Sequence, residues 1–112
     1  MTSVIRVKEG VLFTVISPGG FEIFSALSVA AAELGHDLTI TSACDGLHSG
    51  PDDPHHFGRA YDVRTHDLTD PKLALSYIMN YLDETKFYGF IEDGGTDNEH
   101  VHVQVRHGVE YP

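Results

Sequence analysis

Apolar residues recur at helical spacing in two stretches of this chain and at strand-like spacing in most others. Between residues 21 and 34, Ile23, Phe24, Leu27, Val29, Ala30, Ala31 and Leu34 align along one helix, and Gly35 stands where a helix-terminating glycine belongs. Ser17-Pro18-Gly19-Gly20 breaks the pattern before it. Thr69-Asp70-Pro71 offers an N-cap and an early proline to a second helix, with apolar positions Leu73, Leu75, Ile78, Met79, Tyr81 and Leu82. Short β-branched or alternating runs predict strands at 38–42, 59–64, 87–91 and 101–106. Residues 4–7 and 11–16 flank Lys8-Glu9-Gly10, which predicts an N-terminal hairpin. Residues 43–56 and 92–98 read as loops rich in Gly, Asp and other turn formers. The sum is an α+β domain spanning 1–112, a small antiparallel sheet with helices on one face, without repeats or linkers.

Composition narrows the functional classes. Hydrophobic residues make up 41% and charged residues 21%, which is a globular balance. Seven Lys+Arg against 17 Asp+Glu give a net charge of −10, so nucleic acid and anionic lipid surfaces are repelled and are not expected partners. No apolar run approaches the roughly 18 residues of a membrane helix. The lone Cys44 rules out an internal disulfide framework and reads as a small buried residue. The first eight residues carry no apolar signal core, so synthesis in the cytoplasm is expected.

Eight histidines in 112 residues are unusual, and they cluster. On the last strand, alternation puts His100, His102, Gln104 and Arg106 on one face and Val101, Val103 and Val105 on the core face. Glu99 would then point with the valines, which is costly for a carboxylate, so irregular backbone is expected there. A second segment, residues 52–63, carries His55, His56 and Asp62 around Gly58 and Ala60. Together the segments offer two histidines, one carboxylate ligand and a spare carboxylate. That set suits catalytic zinc: three protein ligands leave a fourth position for water, whose pKa falls toward about 7, and a free carboxylate takes the proton. A bound ion would also staple a small core. Glu92 and Asp93 compete with Glu99 for the role of base. Two histidines and a carboxylate also hold non-haem iron in cupin-like oxygenases, but such a barrel needs more strands than this chain predicts.

His55-His56-Phe57-Gly58-Arg59-Ala60-Tyr61-Asp62 resembles the His-x-x-Gly-x-Ala-x-Asp signature of the zinc D-Ala-D-Ala carboxypeptidase and endolysin family, the LAS peptidases. These share a fold with the zinc domain of hedgehog proteins. Glu99-His100-Val101-His102 resembles the same family's Glu-x-x-His and His-x-His element, and the resemblance covers roughly residues 37 to 106. It implies a hedgehog/DD-peptidase-like fold and one zinc ion on His55, Asp62 and His102. Glu99 would be the general base, and His100 would steady the oxyanion or hold the water. His56 would be a neighbour of the site, and His48 could reach it from the loop. The implied activity is hydrolysis of peptidoglycan stem peptides by a monomer of bacterial or phage origin, as a D,D-carboxypeptidase or an L,D- or D,D-endopeptidase that meets the cell wall once released. Asp45 stands where the family has an arginine that binds a substrate carboxylate, which favours an endopeptidase; Arg59 and Arg106 are candidate replacements. The alternative, drawn from the hedgehog branch, is a zinc-bearing binding or structural module that needs no Glu99.

Overall fold

A serine cap and a glycine stop set the ends of the first helix. In a computed structural model that describes residues 3–45, 50 and 52–109, α1 runs over Pro18–Leu34. The Ser17 hydroxyl accepts from the Gly20 amide at 3.0 Å, and Gly35 closes the helix in the left-handed conformation at φ 65°. The break residues thus form the cap and first turn, and the helix begins earlier than its apolar periodicity. α2 (Pro71–Met79) is capped by Asp70, whose carboxylate accepts from the Leu73 amide at 3.1 Å. Its buried side is Ala74 and Ile78, while Leu73 is exposed.

Five strands form one mixed sheet: β1 (Ile5–Val7), β2 (Leu38–Ser42), β3 (Ala60–Arg64), β4 (Phe87–Glu92) and β5 (His100–Val105), in the spatial order β1-β2-β3-β5-β4. The expected α+β class holds, with two corrections. The sheet is not wholly antiparallel, because β1 pairs with β2 in parallel, and the N-terminal hairpin does not form. A parallel pair needs a long crossover, and α1 supplies it. Residues 11–16 take no strand; Phe13 instead packs against Phe24 and Tyr61, at ring separations of 5.7 and 6.1 Å. This segment is tied to the end of β2, where the Cys44 amide donates to the Leu12 carbonyl at 2.8 Å. Val11 and Phe13 pack against the core from outside the sheet, while Leu12 and Val15 are exposed.

The register of β3, β5 and β4 divides core from site. Tyr61↔Val103, Val63↔Val101, Phe87↔Val105 and Ile91↔Val101 are paired. These residues face the helices and join Ile23, Leu27, Ala30 and Ile78 in one apolar cluster. Gly89 lets α2 approach closely, since a Cβ there would lie 3.0 Å from the Met79 sulfur. The other face carries three rows: Ala60–Gln104–Tyr88, Asp62–His102–Phe90 and Arg64–His100–Glu92. Among the described residues, no helix is long and apolar enough to cross a membrane.

The chain enters β3 through a 3₁₀ turn (Pro54–Phe57) that ends at Gly58, with φ 66°. The Gly58 carbonyl accepts from the Ser17 hydroxyl (2.8 Å), the Ser17 amide (3.2 Å) and the Tyr61 hydroxyl (3.1 Å). A Cβ at Gly58 would stand 2.2 Å from the Val15 carbonyl oxygen. Gly58→Ala therefore combines a left-handed backbone with a clash and should destabilise by about 2–4 kcal/mol in denaturant unfolding. Gly95→Ala, at φ 78° with open space around it, should cost only about 1 kcal/mol. Equal losses at the two positions would show that the close approach to Val15 contributes nothing.

Candidate metal centre

Three elements converge on one carboxylate. Asp62 on β3 and His102 on β5 are direct cross-strand partners, and His102 Nδ1 lies 3.0 Å from Asp62 Oδ1. His55 arrives from the 3₁₀ turn. Asp53 caps that turn by accepting from the His55 amide at 3.0 Å, Pro54 presets its first position, and Gly58 stops it. The turn folds back over β3 and brings His55 Nε2 to 3.0 Å from the same Asp62 oxygen. All three side chains are buried, and one ligand atom from each lies within 4.8 Å of the others. The structure thus gathers the three expected ligands, His55, Asp62 and His102, into a place that can hold a metal ion.

The donor set fits a cation. For metal–ligand bonds of about 2.1 Å, neighbouring ligand atoms lie about 3.0 Å apart in octahedral geometry and about 3.4 Å apart in tetrahedral geometry. The observed contacts fall at this scale. A neutral imidazole has one N–H and one lone pair. His55 meets Asp53 Oδ1 at 2.7 Å through Nδ1 and Asp62 through Nε2. His102 meets the Gln104 amide oxygen at 2.7 Å through Nε2 and Asp62 through Nδ1. The Gln104 amide nitrogen donates to the Val105 carbonyl at 3.1 Å, which points its oxygen at the ring. Each ring therefore faces an oxygen on both sides, and a neutral ring leaves one lone pair aimed at an acceptor. A central cation resolves both conflicts at once. Two imidazolium rings, only 5.0 Å apart between centroids, would instead repel. Contacts such as those to Asp53 and Gln104 orient ligating imidazoles and raise their basicity.

Burial and bonding compete in the titration of these groups. Burial alone would raise the Asp62 pKa, but hydrogen bonds from His102 and His55 overturn it and hold the carboxyl well below the usual range. Burial opposes charging of His102, yet its contacts with Asp62 and Gln104 win and raise its pKa. His100 behaves alike: burial is outweighed by the Asn98 carbonyl, the Asp62 charge and Glu92.

The other expected site residues divide. His100 stands beside the centre, with Nε2 at 2.8 Å from Glu92 Oε1 and 3.6 Å from Asp62 Oδ1. Glu99 lies in the turn before β5, where its amide donates to the Thr96 carbonyl at 3.1 Å. Its carboxylate accepts from the Gly95 amide at 3.0 Å, and this contact is the main cause of its lowered pKa. It is not gathered with the ligand atoms; the carboxylate found there is Glu92, which forms a group with Asp62 and His100. His56 is the half-buried neighbour of His55 in the turn. His48 lies outside the described residues. Arg59 donates to the Val109 carbonyl, and Arg106 donates to the Glu84 carbonyl while lying over the Tyr88 ring, so both hold the C-terminal segment. Asp45 accepts from the amides of Ala43 (2.9 Å) and Leu12 (3.2 Å) and ties the loop to the N-terminal segment.

Sequence reasoning missed the orienting roles of Asp53 and Gln104. Asp53 carried a signal, an N-capping residue directly before a proline. Beside the centre runs a groove of about 510 Å³, with Asp52, Tyr88, Phe90, Glu92 and His102 among its lining. The Phe90 ring lies 5.1 Å from His102 and stacks on Tyr88 at 6.1 Å. Family models, curated proteins and solved structures returned no match to this chain.

Two outcomes test the centre. Zinc at 100 times its dissociation constant should stabilise the protein by about 2.7 kcal/mol, and His102→Ala should abolish most of that increment in thermal unfolding. The pH dependence should reverse with metal. In metal-free protein, the raised pKa values of His100 and His102 supply stability below pH 6.5 that is lost as pH rises through their folded values. The lowered Asp62 value supplies stability above pH 3.8 that is lost as pH falls through its folded value. Bound metal competes with protons, so its stabilisation grows with pH. Melting temperatures with and without zinc should therefore diverge between about pH 5 and pH 8; a constant gap would mean that the imidazoles do not bind the ion.

Proposed function

We propose that this chain is a zinc-dependent peptidase that hydrolyses internal peptide bonds of peptidoglycan stem peptides. The convergence of His55, Asp62 and His102, with Asp53 and Gln104 orienting the two imidazoles, carries the metal-dependent part of this reading. Zinc suits two nitrogens and one carboxylate oxygen, and when bound it supplies Lewis acidity and lowers the pKa of its water. The chain's own residues do the rest. Asp62 neutralises charge and the two histidines fix the geometry. Glu92, whose Oε1 lies 2.8 Å from His100 Nε2, would accept a proton beside the ligands and return it to the leaving amine. Tyr88 and Phe90 offer a stacked aromatic wall for the apolar parts of a peptide. The resemblance of residues 55–62 and 99–102 to the LAS peptidases supports the substrate class. An endopeptidase is preferred to a carboxypeptidase because no lysine or arginine is among the described residues lining the groove.

A second reading, a zinc-bearing module without turnover, draws on Glu99 being engaged by Gly95 instead of facing the ligands.

Digestion of purified peptidoglycan with and without a chelator, followed by mass analysis, separates the two. The peptidase should release peptide fragments in a chelator-sensitive manner. Intact peptidoglycan together with stoichiometric zinc would favour the module. Glu92→Gln should retain zinc and lower turnover by about 10²-fold or more. A larger loss on Glu99→Gln would return the role of base to the residue that the resemblance implies.

A further inference from the structure

We propose that the protein has a second divalent-cation site, formed by His100, Glu92 and Asp62, which shares Asp62 with the first. The bridging role of Asp62 rests on the metal centre described above; the second site itself rests on separate contacts. The row Arg64–His100–Glu92 lies next to the row Asp62–His102–Phe90 on the same sheet face. One ligand atom each from Asp62, Glu92 and His100 lies within 4.8 Å of the others. The 2.8 Å contact of His100 Nε2 with Glu92 and its 3.6 Å contact with Asp62 bracket the ligand spacings expected around a first-row or magnesium-sized ion, about 3.0–3.4 Å.

The histidine orientation repeats that of the first site. His100 Nδ1 lies 2.7 Å from the Asn98 backbone carbonyl. A carbonyl cannot donate, so the ring proton of a neutral His100 belongs on Nδ1, and its Nε2 lone pair then faces two carboxylate oxygens. His55 does the same with Asp53 behind it, and His102 with Gln104 behind it. In all three cases an acceptor fixes the far nitrogen while the near nitrogen points at carboxylate oxygen, an arrangement characteristic of metal-bound histidine. Charge favours a second ion as well. Asp62 and Glu92 both face this site, Asp53 adds a further carboxylate behind His55, and the chain carries a net charge of −10. The two sites differ in access. The first is buried, whereas the Glu92 side chain is 44% exposed and lines the groove. The second ion should therefore bind more weakly and exchange faster. While it is bound, Glu92 cannot accept a proton, so this site acts against turnover.

The test is metal stoichiometry, read without any substrate. Chelator-treated protein would be titrated with zinc by calorimetry, with elemental analysis after brief desalting. Wild type should show a tight and a weaker equivalent. Glu92→Gln should weaken the second by about tenfold to a hundredfold and leave the first intact. His100→Ala, checked for folding by circular dichroism, should do the same. A single equivalent in wild type would overturn the proposal, as would a second equivalent indifferent to both substitutions. Loss of the tight event, with a weaker one still sensitive to Glu92→Gln, would remove the first site and leave the second standing.

Discussion

The pairing of β3 with β5 is the constraint on which the rest depends. One register places Tyr61, Val63, Val101 and Val103 against the helices and Asp62, Arg64, His100 and His102 on the opposite face. A slip of one residue would exchange the two sets. Burying a large apolar side chain is worth about 1.5–3 kcal/mol, so four such residues fix the register far more firmly than any contact among the histidines could. The apolar face thus determines where the polar face points. Asp62 meets His102 because Tyr61 and Val63 have somewhere better to be than water.

His55 is placed by different means. No strand carries it, and its position follows from a short turn held at both ends. Asp53 caps the start, and Gly58 ends the turn in a conformation that glycine tolerates best. The Gly58 carbonyl then takes hydrogen bonds from the residue that caps α1 and from the hydroxyl of core residue Tyr61. Close approach is required on both sides: a Cβ at Gly20 would lie 2.4 Å from this carbonyl. The start of the long helix, the aromatic cluster around Phe13 and Phe24, and one candidate ligand are therefore a single packed unit. Tyr61 and Asp62, adjacent in sequence, serve its two sides.

How much of this could be read from the sequence depends on how local the cause is. Both helices, β2 through β5 and the inward valines of β5 follow from periodicity and end signals within a few residues. His55, Asp62 and His102 were legible because histidine and aspartate cluster in two short segments and because alternation governs a strand. The failures are non-local. Residues 11–16 look like a strand because β propensity reports fitness for a half-buried surface, and here that surface is the side of the core. The parallel pairing of β1 depends on where a 17-residue helix returns the chain. The position of Glu92 relative to His100 depends on the register of β4 on β5 across the intervening loop, which no spacing rule supplies. The carboxylate of Glu99 accepts from the Gly95 amide, a local contact four residues away.

The polar face of the sheet also bears on folding. A domain this small has little apolar surface to spare, yet it buries His55, Asp62, His102 and Gln104 on one side of its central strands. Burial of such groups is tolerable only when each is hydrogen-bonded. Among the described residues, every buried side-chain nitrogen and oxygen has a partner, but at the histidines partnership alone is not enough. Oxygens sit at both nitrogens of each ring, and neutral rings bring one proton each. The network is therefore complete in geometry and short of positive charge. Protons can make up the deficit only at the expense of crowding charged rings together. A divalent ion makes it up at neutral pH without that repulsion, so the same contacts that favour metal binding also favour the folded chain.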